Sequence, residues 1–134
     1  MLLAENRKAE AIAAGKEGLE IFQSFADRQN ATPDDLNNFA SLILEVGIPE
    51  LQNPVLALSY AKRAVAGVKE PSLVLLDTLT DAFVENGDIP NAIEVLERAL
   101  KANPTTGGQN AGLRGQMEEK LKRLKDSPAP RINF

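Results

Sequence analysis

The stretch Leu73–Pro104 reads LVLLDTLTDAFVENGDIPNAIEVLERALKANP, and its reading decides the fold. Leu76, Leu79 and Phe83 recur at helical spacing and give a first helix its apolar face. Gly87 and Asp88 make a turn. Ala92, Ile93, Ala99 and Leu100 face inward from a second helix, and Pro104 closes the unit. Small and large apolar residues at fixed places suit two closely packed helices, because alanine lets the backbones approach.

The same pattern occurs upstream. Leu36, Phe39, Ala40, Ile43 and Gly47 stand 40 residues before Leu76, Leu79, Thr80, Phe83 and Gly87. Ala57, Leu58, Ala64 and Val65 stand 35 residues before Ala92, Ile93, Ala99 and Leu100. The difference is an insertion of 5 residues in the first unit's loop, Ile48–Pro54, which is expected on the surface. Start signals frame the helices: Thr32-Pro33-Asp34-Asp35, Asn53-Pro54 and Pro71-Ser72 each offer a side-chain cap, and two of them place proline in the first turn. Gly47 is expected to end its helix in the left-handed conformation, and Gly67 to end the next.

Outside these units, Ile12, Gly15, Leu19, Phe22 and Ala26 lie on one face of a long N-terminal helix, with Phe25 widening the stripe; both phenylalanines are expected in the core. Leu113, Met117, Leu121 and Leu124 mark a last helix whose other faces carry Arg114, Lys120, Lys122, Arg123 and Lys125. The expected organisation is one helical domain over 1–126. It comprises an N-terminal helix (3–29), a first repeat (33–67), a second repeat (72–104) and a capping helix (110–125), and an irregular tail (127–134) follows.

Composition limits the function. The chain has 134 residues, 43% of them hydrophobic but only 4% aromatic, so its core is aliphatic. With no cysteine, disulfides and thiol chemistry are excluded. With no histidine, the commonest general base and metal ligand are missing as well. No phosphate-binding glycine loop is present. The expectation is a protein that is not an enzyme and needs no cofactor or metal. The start, MLLAENRKAEA, turns charged too soon for a signal peptide, and no apolar run is long enough to span a membrane. The chain is therefore expected to be cytoplasmic, whether alone or as part of a longer protein. Residues 1–100 carry 8 Lys/Arg against 16 Asp/Glu, whereas residues 101–134 carry 7 against 3. An acidic body argues against nucleic acid as its ligand, and a basic end speaks to partners rather than fold.

Residues 33–104, about half the chain, resemble the tetratricopeptide repeat family, which pairs antiparallel helices in units of about 34 residues. The segment LNNFASLILEVGIPELQNPVLALSYAKRAV is similar to a variant repeat of large bacterial tetratricopeptide proteins, some of which carry a kinase or another signalling domain upstream. The resemblance implies an all-α fold: a short right-handed α-solenoid of about six helices, two clear units flanked by the N-terminal helix and the capping helix. It also implies a scaffold or adaptor role, with a protein or peptide segment held in a concave groove lined by the first helix of each unit. The matching positions are Asp34, Asn37, Ser41, Leu44 and Glu45 in the first unit and Val74, Asp77, Asp81, Val84 and Glu85 in the second, with Asn38 and Thr78 beside them. These are not the Lys and Arg with which some family members grip a C-terminal carboxylate.

Asp77, Asp81 and Glu85 stack on one helix face and repel one another by a few tenths of a kcal/mol per pair. Three readings stand: a solvated helix face, an acidic stripe for a basic partner segment, and a divalent-cation site. The basic last helix reads as the soluble face of a cap, as a surface for the acidic groove of a neighbouring molecule, or as a contact for an anionic surface. A homodimer through the N-terminal or the C-terminal helix is the structural alternative, as a self-assembly element of a larger signalling protein.

Overall fold

The computed structural model describes residues 2–102 and 111–126. Six helices account for most of them: α1 (Leu2–Ala26), α2 (Pro33–Glu45), α3 (Pro54–Ala66), α4 (Leu73–Glu85), α5 (Ile89–Ala102) and α6 (Ala111–Asp126), with a short 3-10 turn at Pro49–Leu51. The described residues form no strand. The loop expected over Thr105–Gln109, the closing Pro104 and the tail from Ser127 lie outside the described residues.

Local chemistry fixes the helix starts. Thr32 caps α2 in a capping box: its hydroxyl accepts from the Asp35 amide while the Asp35 carboxylate accepts from the Thr32 amide. Asn53 caps α3 through the Leu56 amide, and Ser72 caps α4 through the Leu75 amide. Each such cap stabilises its helix by about 1 kcal/mol. The ends differ from expectation at one glycine. α2 stops at Glu45, and Val46 leaves it in extended conformation with φ −65° and ψ 119°. Gly47 is not left-handed either, since its φ is not positive. Pro49 accounts for the last step of this exit, because a proline disfavours helical backbone in the residue before it, and Ile48 is extended at φ −105° and ψ 111°. Gly87 alone among the described residues has positive φ, at 75°, and makes the tight turn between α4 and α5.

Each helix packs on the next in sequence, and α4 also packs on α2 and on α6. The main core joins Leu36, Phe39, Ala40 and Ile43 of α2 to Ala57, Tyr60, Ala61 and Ala64 of α3 and to Leu75, Leu79, Ala82 and Phe83 of α4. The Tyr60 and Phe39 rings stand at 85° to each other with centroids 4.7 Å apart, and the Tyr60 hydroxyl donates to Asp27. A second cluster joins Leu73, Leu96, Ala99 and Met117, and so seats α6 on α4 and α5. Asn86 ties two elements together: its Nδ2 donates to the carbonyls of Pro54 (2.8 Å) and Ala82 (2.7 Å).

One expectation fails on the N-terminal side and another is completed. The inserted loop lies at the surface, with none of its residues buried, but it is not free of the body. Its 3-10 turn packs on α1, where a Cβ on Gly15 would stand 2.7 Å from Leu51 Cδ1 and 3.3 Å from Ile48 Cδ1. Glu50 pairs with Lys8 at 3.5 Å. The absence of a side chain at Gly15 is what admits the loop. Phe22 and Phe25, expected in the core, are exposed at 39% and 40%. The face of α1 that packs runs through Ile12, Gly15, Leu19 and Ala26, and Phe25 lies about a third of a turn away from it. α1 also ends at Ala26, three residues before the expected boundary, in a tight turn where the Arg28 amide donates to the Phe25 carbonyl.

Candidate functional site

The residues singled out in the sequence lie on α2 and α4, and these two helices touch directly. The twelve positions therefore belong to one neighbourhood, but they are not equally available. Asn37 and Thr78 are buried. The Thr78 hydroxyl donates to the Val74 carbonyl one turn back, which takes its proton out of play. Asn37 Oδ1 meets no donor among the described residues. Neither side chain offers a partner an open surface, a correction to the groove read from the sequence. The close approach of α2 and α4 is the physical reason.

Asp34, Asn38, Glu45, Val74 and Glu85 are exposed, and Ser41 is half-buried. Ser41 donates to Glu45 Oε1 at 3.2 Å, which holds that carboxylate against the helix. At the far end of the two helices, Leu44 and Glu85 line a small hollow of about 170 Å³ together with Ile43, Gln52, Asn53 and Pro54. The exposed Glu85 carboxylate thus stands beside a partly apolar floor.

The acidic stripe has an occupant from its own chain. Lys120 of α6 reaches Asp77 Oδ1 at 2.8 Å and Asp81 Oδ1 at 2.7 Å. The spacing that makes Asp77 and Asp81 repel makes them a fork for one ammonium. Burial depresses the Lys120 ammonium, but hydrogen bonds and charges from both carboxylates outweigh it and leave its pKa above the ordinary lysine value. Burial raises the Asp81 carboxyl, and Lys120 offsets only part of that. In the sequence Lys120 stands only as one cation of a basic helix face. Its role shows when α6 is placed on α4, 43 residues away from Asp77 in sequence. Of the three stacked acids, Glu85 is the exposed one.

A wider cleft of about 580 Å³ opens between the α3–α4 connection and α5. Val65, Leu76, Leu79, Val95 and Ala99 form its floor, and Lys69, Glu70 and Arg98 stand among its polar lining. Among the described residues no group of three or more acidic side chains is arranged to hold a metal ion, and no helix is long and apolar enough to cross a membrane. No protein-family model, curated protein or solved structure matches this chain.

Proposed function

We propose that this chain is a non-catalytic protein–protein interaction module of tetratricopeptide type, working as a scaffold or adaptor, whose partner is a peptide segment laid along α2 and α4. The observation that carries the reading is the direct packing of α2 on α4, which brings positions 34–45 and 74–85 onto two adjacent helices. Contacts between helix ends support the solenoid. Gly67 at the end of α3 lies beside Pro33 at the start of α2, and Leu73 at the start of α4 clusters with Leu96 and Ala99 late in α5, as in antiparallel pairs. Met117 and Lys120 of α6 meet Leu73 and then Asp77 and Asp81 of α4, so those two helices advance in the same direction, as the first helices of successive units do. α6 then takes the place of a capping helix.

In this reading the partner-facing surface is narrower than the sequence suggested. Its open groups are Asp34, Asn38, Glu45, Val74 and Glu85, with Asp77 and Asp81 forming one wall through Lys120. Three exposed carboxylates, Asp34, Glu45 and Glu85, together with Val74 and the Leu44 floor, fit a segment that carries Lys or Arg between apolar side chains. The test is a peptide array probed with the wild type and with an Asp34→Asn/Glu45→Gln/Glu85→Gln variant. These residues are exposed, so the substitutions spare the fold. Selection of Lys/Arg-bearing peptides by the wild type, lost in the variant, supports the surface. Equal selection by both proteins removes it.

A further inference from the structure

α1 carries more apolar surface than the fold uses. At about 100° per residue, Ile12, Gly15, Leu19 and Ala26 form the face that packs on α2 and the 3-10 turn. A second stripe lies about 110° round the helix: Ala11, Ala14, Gly18, Ile21 and Phe25, spaced by 3, 4, 3 and 4. Phe22 stands at the border between the two. Glu10, Glu17 and Glu20 keep to the remaining arc. The second stripe faces outward, with Ile21 at 51% exposure, and a Cβ built on Gly18 meets nothing within 4 Å. The Arg28 guanidinium lies 4.3 Å from the centroid of the Phe25 ring and marks the end of the stripe.

The order of side-chain sizes along the stripe names its occupant. The N-terminal half is small and the C-terminal half large. A second α1 laid antiparallel about a two-fold axis at Gly18 places Phe25 over the partner's Ala11, Phe22 over the partner's Ala14, and glycine on glycine where the axes come closest. One surface supplies both halves of the fit, as an isologous contact requires. Alanine and glycine at the crossing let the backbones approach, and the bulky residues cover what the small ones leave open. We infer that α1 is the interface of a symmetric antiparallel homodimer with Gly18 on the two-fold axis. This surface is separate from the α2–α4 face, so either reading can fail alone.

Sedimentation over a wide concentration range tests the inference on the full chain. The wild type is expected to pass from monomer to dimer, and an Ile21→Glu/Phe25→Glu variant to stay monomeric with its helical circular dichroism unchanged, since both side chains are exposed. The chain has no cysteine, so a single Gly18→Cys substitution reports the axis directly. On mild oxidation it should give a covalent dimer, whereas Glu20→Cys, on the polar arc, should not. A wild type that stays monomeric throughout, a dimer that survives the double substitution, assemblies larger than two, or cross-linking at position 20 in place of 18 would each overturn the proposal.

Discussion

Replacing Lys120 by methionine keeps most of the side-chain stem and removes the charge that holds α6 on α4. The structure sets the size of the effect. A hydrogen bond to a charged group contributes about 1.5–3 kcal/mol when buried, and an exposed ion pair about 0.2–1 kcal/mol. The Lys120 and Asp77 side chains are 22% and 23% exposed, so their contact falls between these limits, at about 1–1.5 kcal/mol. Asp81 is 43% exposed, which puts its contact near the surface value, at about 0.5 kcal/mol. Without Lys120, the two carboxylates also repel by a few tenths of a kcal/mol. Lys120→Met should therefore cost about 2 kcal/mol and lower Tm by about 5–10 °C. Urea denaturation of Lys120→Met, Asp77→Asn, Asp81→Asn and the two double variants closes two mutant cycles. The coupling of Lys120 to Asp77 should exceed its coupling to Asp81. Couplings below about 0.3 kcal/mol in both cycles, within the error of additive behaviour, would refute the placement of Lys120 on the acidic stripe.

The same cluster sets a pH dependence. Because burial raises the Asp81 carboxyl, the folded chain takes up this proton before the unfolded chain does. Its stabilising contribution is therefore lost as pH rises from the ordinary carboxylate value through the raised one, so at neutral pH Asp81→Asn should cost less than Asp77→Asn; urea midpoints followed against pH measure both. Lys120 acts at the other end: its contribution is present below the ordinary lysine value and fades as pH climbs through the raised one. Met117 is fully buried against Leu73, Leu96 and Ala99, and Met117→Ala should cost about 2–4 kcal/mol. Hydrogen exchange should show that loss first in α6, with α2 and α3 still protected. Gly15→Val should detach the 3-10 turn from α1, because even a Cβ meets Leu51 at 2.7 Å; proteolysis within 48–52 should accelerate while Gly18→Ala leaves it unchanged.

Features carried by neighbouring residues were legible in the sequence. Thr32 with Asp35, Asn53 before Pro54, and Ser72 after Pro71 each state a helix start within a few positions, and all three caps form. Phe39, Ala40, Leu79 and Ala92 announced their burial by period, and all are buried. What escaped depends on how helices meet. Asn37 and Thr78 sit at positions expected, from the resemblance alone, to face a groove, yet both are buried where α2 and α4 approach each other. The fork of Asp77 and Asp81 was visible as a repulsive stack, but its cation comes from α6. Periodicity marked Phe22 and Phe25 as apolar and could not say which of two adjoining stripes on α1 the fold would use. Gly15 gave the one local hint, since only a missing side chain there admits Leu51.

The measurement that bears most directly on the proposed function is a titration of the isotope-labelled chain with a Lys/Arg-bearing peptide selected on the array, followed by amide chemical shifts. Saturable shifts are expected at Asp34, Asn38, Glu45, Val74 and Glu85, with α1 and the α3–α5 cleft unmoved. Shifts confined to those other surfaces, or a peptide that binds the Asp34→Asn/Glu45→Gln/Glu85→Gln variant as tightly as the wild type, would contradict it.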